Sequence, residues 1–219
     1  MKFQWPVDVN TGSYIIQPFG GHNRDYSPLL GHPGIDFYAT RGAPVFAVCD
    51  GWLYQAVGVD NNDGYGIHLY QWYEENGNDF VVVYGHFQRL ALPSQNYGFA
   101  KVVPIARGQL LGFCNSTGFS NIDHVHIGKY EYHFGQLLNS GNGYGGSINW
   151  TADLLPESDF IHNMSNAVFV HKAGTAEYGW YIPDISPDAI KSSALHYAAQ
   201  IVKPDGSVDF SQSKEVSGL

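Results

Sequence analysis

Three short stretches carry residues that can do chemistry together. "DHVHIGKY" (residues 123–130) separates His124 and His126 by one valine, and residues two apart on a strand point to the same side of its sheet. "GHPGIDF" sets His32 and Asp36 four apart across a Pro-Gly turn entering a strand, so an imidazole and a carboxylate can meet. "VYGHF" puts His86 at the end of another strand. A catalytic zinc site takes three protein ligands from His, Asp or Glu and keeps a fourth position for water, whose pKa falls toward about 7. Two histidines and one aspartate answer that need. Each spacing alone is equally that of ordinary buried histidines, and the residues by themselves leave both readings open.

The elements that must position these side chains read mostly as short strands. "GYGIHLYQWYEENGNDFVVVYGHF" is a strand, an Asn-Gly turn and a second strand, with Phe80, Val82, Tyr84 and His86 on one face and Val81 and Val83 on the other. "APVFAVCDGWLYQAV" reads as two strand segments meeting at an Asp-Gly turn. "KVVPIARGQLLGFCNSTGFS" holds further short strands, and "HVHIGKYEYHF" is the last clear one. The 26 glycines and 15% aromatic content suit many strands joined by tight turns. The fold class expected is mainly β: an antiparallel sheet domain over 1–150, then a small mixed α/β segment over 151–219. The glycine-rich "NSGNGYGGS" (139–147) reads as an exposed loop at the edge of the first domain. In the second, "AVFVHKAGTAEYGWYIP" reads as strand, turn, strand. A helix near 187–200 follows, with Ser186 as N-cap, Pro187 in its first turn and an apolar stripe of Ile190, Ala194, Leu195 and Ala198 suited to packing.

Composition excludes several classes. The chain has 219 residues, 44% hydrophobic and 14% charged, which is the balance of a folded protein with one sizeable core. Net charge is −9 with only 11 basic residues, thinly spread, so nothing attracts a phosphate backbone and nucleic-acid binding is not expected. No apolar run approaches the roughly 20 residues of a membrane span. "MKFQWPVDVN" lacks the apolar core of a signal peptide, so the chain is either made without one or begins after it. Cys49 and Cys114 show no zinc-knuckle or redox spacing and are expected as free, semi-buried thiols rather than a disulfide. A monomer is favoured.

The flanking sequence of these candidates has a family character. "GHPGIDFYATRGAPVFAVCDGWL" closely resembles the opening motif of the lysostaphin/LytM-type peptidoglycan zinc metallopeptidases, with their duplicated-hybrid-motif-like β domain. The resemblance continues in order through "GYGIHLYQW", "VVVYGHF", "ARGQLLGFCNSTG" and "HVHI", over roughly residues 16–130. It implies a zinc-dependent endopeptidase that hydrolyses peptide bonds of bacterial peptidoglycan, in the stem peptide or the cross-bridge. By the same resemblance His32, Asp36 and His126 match the Zn2+ ligands, and His86 and His124 match the two catalytic histidines that bind no metal. Tyr26 falls roughly where some relatives place a transition-state-stabilising aromatic, though an ordinary loop tyrosine fits as well. The implied setting is extracellular or at the cell wall, for a secreted protein or a phage endolysin.

This chain also departs from the pattern. "GFSNIDHVHIG" stands where many relatives have a Ser-Thr-Gly-Pro run, Asp123 directly precedes His124, and Gly128 replaces a larger or acidic residue. A non-catalytic cell-wall-binding or structural module on the same scaffold is the alternative, as relatives with missing ligands serve such roles. His22, His68, His133, His162, His171 and His196 have no comparable setting and receive no role.

Overall fold

The computed structural model describes residues 1–8, 12–60, 64–156, 168–171 and 178–181. Its strands, in chain order, are β1 Ile15–Gln17, β2 Ile35–Tyr38, β3 Pro44–Phe46, β4 Gly51–Val57, β5 His68–Glu75, β6 Asn78–Gly85 and β7 Phe87–Leu90. Then follow β8 Pro104–Ile105, β9 Leu110–Cys114, β10 His124–His133, β11 Gln136–Leu137, β12 Val168–His171 and β13 Tyr178–Tyr181. The chain divides into two units, Met1–His162 and Asn163–Leu219. In the second, β12 and β13 pair antiparallel from Val168↔Tyr181 to His171↔Tyr178. The helix expected near 187–200 lies outside the described residues.

The paired strands of the first unit are all antiparallel among the described residues, as the strand-rich pattern predicts. Its main sheet runs β1-β2-β10-β6-β5-β4-β8, with β11 beside β10. A second sheet has the order β3-β9-β7. The one helical element assigned among the described residues is a short 3-10 turn, Thr151–Asp153.

Local sequence explains the central hairpin. Asn76 and Gly77 both take positive φ (54° and 80°), the two-residue turn whose twist matches the flanking strands, and only glycine adopts the second of these freely. From it β5 and β6 zip without a register shift, from Glu75↔Asn78 to Leu69↔Tyr84. Asp50-Gly51 behaves differently. β3 and β4 on either side of it belong to different sheets, so this dipeptide is a crossing between layers and not a hairpin turn. The alternation of β3 cannot reveal this, because the strand it pairs with, β9, comes from distant sequence.

Between the sheets lies one core, built from Ile35 and Phe37, Val45, Leu53, Leu69 and Tyr73, Val82 and Tyr84, Leu111, and Val125 and Ile127. The N-terminal Phe3, Trp5 and Val7 join it, with Trp150 edge-on to Phe3 at 5.3 Å. Fully burying a side chain of this size contributes about 1.5–3 kcal/mol, so both ends of the unit are held by packing. The glycine-rich 139–147 segment is only partly the exposed loop expected. Ser147 is fully buried, and Tyr144 packs on Phe19 at 4.6 Å. Cys49 and Cys114 are both free and buried, and burial pushes the Cys114 thiol up to about 12.

One polar network crosses this core. Tyr84 donates its hydroxyl to Gln71 Oε1 (2.7 Å) and accepts from the Val48 amide (3.0 Å), while Gln71 Nε2 donates to the Cys49 carbonyl (2.8 Å). All three links are buried, so they join the β5–β6 hairpin to the chain between β3 and β4 with full satisfaction. Replacing Tyr84 by Phe leaves a buried amide and a buried amide oxygen unpaired. The expected loss is about 1–3 kcal/mol in urea unfolding, with the cleft described below unchanged.

Candidate metal centre

The main sheet brings the candidate ligands together through its register. β2 and β10 are neighbours, and Asp36 lies directly opposite His126, with Tyr38 opposite His124. The 3.3–3.4 Å rise and two-residue period then put His124, His126 and Asp36 on one face. His32 joins them from the loop before β2. It is held by two backbone bonds, its amide to the Gly21 carbonyl (3.0 Å) and the Gly20 amide to its own carbonyl (2.8 Å).

Three atoms converge there. His32 Nε2 and His126 Nδ1 are 3.0 Å apart, His126 Nδ1 and Asp36 Oδ1 2.9 Å, and His32 Nε2 and Asp36 Oδ1 3.1 Å. These three residues are buried and form a group able to hold a metal ion. His32 donates its Nδ1 proton to the Pro18 carbonyl at 3.3 Å, which can only accept. In the uncharged ring its Nε2 presents a lone pair to the Asp36 carboxylate. Two acceptors at 3.1 Å repel one another unless a cation lies between them. Tetrahedral bonds of about 2.0–2.1 Å place neighbouring ligand atoms roughly 3.3 Å apart, close to the triangle observed. The donor set therefore fits zinc.

Electrostatics agree with that fit. Burial alone raises the Asp36 carboxyl, but the imidazoles of His126 and His32 set against it outweigh that and hold Asp36 well below the usual carboxylate range. Burial pushes His126 down, against the pull of Asp36. Gly34, between His32 and Asp36, is needed for space: a Cβ there would lie 2.5 Å from His126 Cε1 and 2.7 Å from its Nε2. Tyr65 packs on the other side of the same imidazole, ring centroids 5.3 Å apart, and its hydroxyl pairs with that of Tyr130 at 2.7 Å.

His86 and His124 stand beside this triangle, with ring centroids 4.5 Å apart. Strict alternation along β6 keeps His86 on the face of Tyr84, as the sequence pattern groups them. The structure differs because the chain leaves the strand at Gly85 and His86 takes φ 66°, the left-handed region, which brings its ring into the cleft. The turn is secured at both ends, by the His86 amide on the Tyr65 carbonyl (2.8 Å) and the Asn115 amide on the His86 carbonyl (3.0 Å). Both rings have fixed tautomers. His86 Nδ1 donates to the Thr117 carbonyl (2.7 Å), and His124 Nδ1 to the Ile122 carbonyl (3.0 Å), with Ser120 Oγ at 3.2 Å. His124 Nε2 lies 3.5 Å from Asp36 Oδ1. Burial, with His124 and His126 adding to it, pushes His86 down to about 3, so the ring is neutral.

A cleft of about 600 Å³ opens over these residues. One wall is the 16–26 region with Ile16, Arg24 and Tyr26, and the other is the 118–122 loop, with Phe119 and Ile122 exposed. Tyr26 faces the site, 5.4 Å from the His32 ring. Asp123 acts locally. Its Oδ1 accepts from Arg41 Nε (3.1 Å) and Nη2 (3.0 Å), tying the 115–123 loop to the turn after β2 just before His124. His68 is buried, with Nδ1 on the Gly66 carbonyl, while His22 and His133 are exposed. None of the three lines the cleft. The carbonyls of Pro18, Thr117 and Ile122, and the contacts of Ser120, Tyr65 and Arg41, are invisible to motif reading. They act through backbone or through neighbours distant in sequence.

Comparison with known proteins gives one family match. Residues 30–140, half of the chain, match peptidase family M23. No curated protein is significantly similar in sequence. Solved structures that it resembles include a zinc-containing peptidase from Vibrio cholerae (22% identity, TM-score 0.45, covering 59% of this chain and 36% of that one). Another is lysostaphin, an antimicrobial peptidase from Staphylococcus simulans (21%, 0.47, 66% and 50%). A third is the catalytic domain of the prophage-encoded M23 protein EnpA from Enterococcus faecalis (24%, 0.43, 59% and 89%). The match thus spans about a third and a half of the first two proteins.

The left-handed backbone at position 86 yields a stability test that is independent of activity. His86→Ala and His86→Gly both delete the ring, yet only alanine retains the steric cost of positive φ. The glycine variant is expected to be about 1 kcal/mol more stable in denaturant melts. Equal stability of the two would show that the backbone there is unstrained.

Proposed function

From its place in peptidase family M23, to which this chain belongs, we propose that it is a zinc-dependent endopeptidase cleaving peptide bonds of bacterial peptidoglycan. The observation that carries this reading is the triangle of His32 Nε2, Asp36 Oδ1 and His126 Nδ1, with two further histidines beside it in one cleft. In this reading His32, Asp36 and His126 are the zinc ligands. A zinc ion held there supplies Lewis acidity toward a scissile carbonyl and a water that ionises near neutral pH.

The chain's own groups account for the rest of the chemistry. Asp36 stays ionised throughout, so the site carries a permanent negative charge toward a cation. His86 and His124 are the catalytic histidines. Each keeps its Nδ1 proton on a backbone carbonyl and presents Nε2, where it takes a proton from the attacking water or returns one to the departing amine. The carbonyls bear the orienting role that a carboxylate plays in other His-based sites. The low position of the His86 pKa keeps that ring uncharged at working pH. The side chains of the site are themselves buried, which strengthens each of these interactions. The substrate setting is the cell wall, outside the cell. Among the described residues no helix is long and apolar enough to cross a membrane.

Two substitutions separate the proposed roles. His126→Ala is expected to lose bound zinc in metal analysis, whereas His124→Ala retains it and loses about 10²–10⁴-fold in turnover on purified cell walls. Full activity of His124→Ala would remove its assignment. Chelation should abolish wall hydrolysis by the native chain, and added zinc should restore it.

A further inference from the structure

The residues lining the cleft include a single permanent cation, Arg24. None of the ion pairs among the described residues involves it, whereas Arg41, Lys101 and Lys129 each face a carboxylate. An exposed arginine ordinarily samples many rotamers, but this one is held in place. Its Nη1 donates to the Phe119 carbonyl at 3.1 Å, reaching from one wall of the cleft to the other. Its guanidinium also lies over the Tyr26 ring, 5.0 Å from the centroid, and that ring is in turn 5.4 Å from His32. The charge is therefore fixed at the lip, one aromatic ring away from the metal triangle.

The surroundings make this position distinctive. The chain as a whole carries −9 and repels anions. The two carboxylates nearest in sequence and in the cleft are otherwise engaged: Asp25 Oδ1 accepts the Ser27 amide (2.8 Å), and Asp36 faces His126 and His32. The Phe119 carbonyl and the Tyr26 hydroxyl engage only part of the five N–H donors of the guanidinium, and the planar fork suits a carboxylate better than any other group. We infer that Arg24 recognises a free carboxylate of the substrate beside the bond to be cut. This rests on the peptidase reading above and sharpens it. The substrate is a peptide bearing a carboxylate near the scissile bond, as in a stem peptide, and not a neutral cross-bridge.

Binding tests this apart from turnover. The probes are a soluble stem-peptide fragment with free carboxylates and the same fragment with its carboxylates amidated. Dissociation constants are measured by calorimetry on the zinc-loaded His124→Ala chain. The free-acid fragment is expected to bind tenfold or more tightly, on the order of a charge-assisted bidentate contact, and added salt should weaken that preference. Adding Arg24→Gln should bring the ratio of the two constants close to one, and Arg24→Lys should keep part of it. If Arg24 only ties the two walls together, its loss weakens both fragments alike and leaves the ratio unchanged. That result overturns the inference, as does equal binding, or binding of neither fragment, before Arg24 is altered. Failure of the peptidase reading is distinct: the native chain would release no peptides from walls while the binding preference persisted.

Discussion

The arrangement depends on one pairing, Asp36 against His126 across β2 and β10. A one-residue slip in that register would turn Asp36 or the histidines to the opposite layer, and the triangle with His32 could not form. The surrounding structure protects the register. Ile35 and Phe37 on β2 and Val125 and Ile127 on β10 are fully buried on the core side, so a slip would expose four large apolar side chains. Core packing thus sets the position of the polar site on the other face of the same strands. Gly34 completes the constraint, because the approach of the His126 ring requires a residue without Cβ.

Around this pairing the protein uses backbone carbonyls to orient its histidines. Pro18, Thr117 and Ile122 each accept an Nδ1 proton, and so fix which nitrogen of His32, His86 and His124 carries a lone pair. Those carbonyls come from loops, and the loops are anchored by side chains that do not themselves line the cleft. Thr117 Oγ1 bonds to the Phe87 carbonyl and accepts the Ile67 amide, while Arg41 holds Asp123. Such contacts lie at or near the surface and add little to global stability. Their effect is local, in holding the rings at fixed angles to one another.

Much of the site was legible in the residues. His-Pro-Gly-Ile-Asp and His-Val-His are local in sequence, and their periodicity is enough to put Asp36 at a strand entry and both histidines on one strand face. Asn76-Gly77 likewise specifies its own hairpin, because only such a pair accepts positive φ at both positions. Asp50-Gly51 was misleading for the converse reason: a short dipeptide has turn character wherever it stands, and whether the flanking strands pair is decided by distant partners. The same applies to 139–147, where glycine content suggests exposure but Ser147 is buried against β10.

What the sequence alone determined is the inventory: a mainly antiparallel β chain, acidic overall, carrying two histidines and an aspartate at spacings fit for a metal, with two more histidines in reach. Local periodicity and turn chemistry suffice for that, since each depends on residues a few positions apart. Tertiary structure decided which ring meets which atom. His86 follows Tyr84 by parity, yet it lies in the cleft because its backbone turns left-handed between anchors at Tyr65 and Asn115. Arg24 is one exposed loop arginine among 219 residues until Phe119 and Tyr26 hold it at the lip of the cleft. Both outcomes come from contacts between segments far apart in the chain, and no local pattern encodes the distance between two loops.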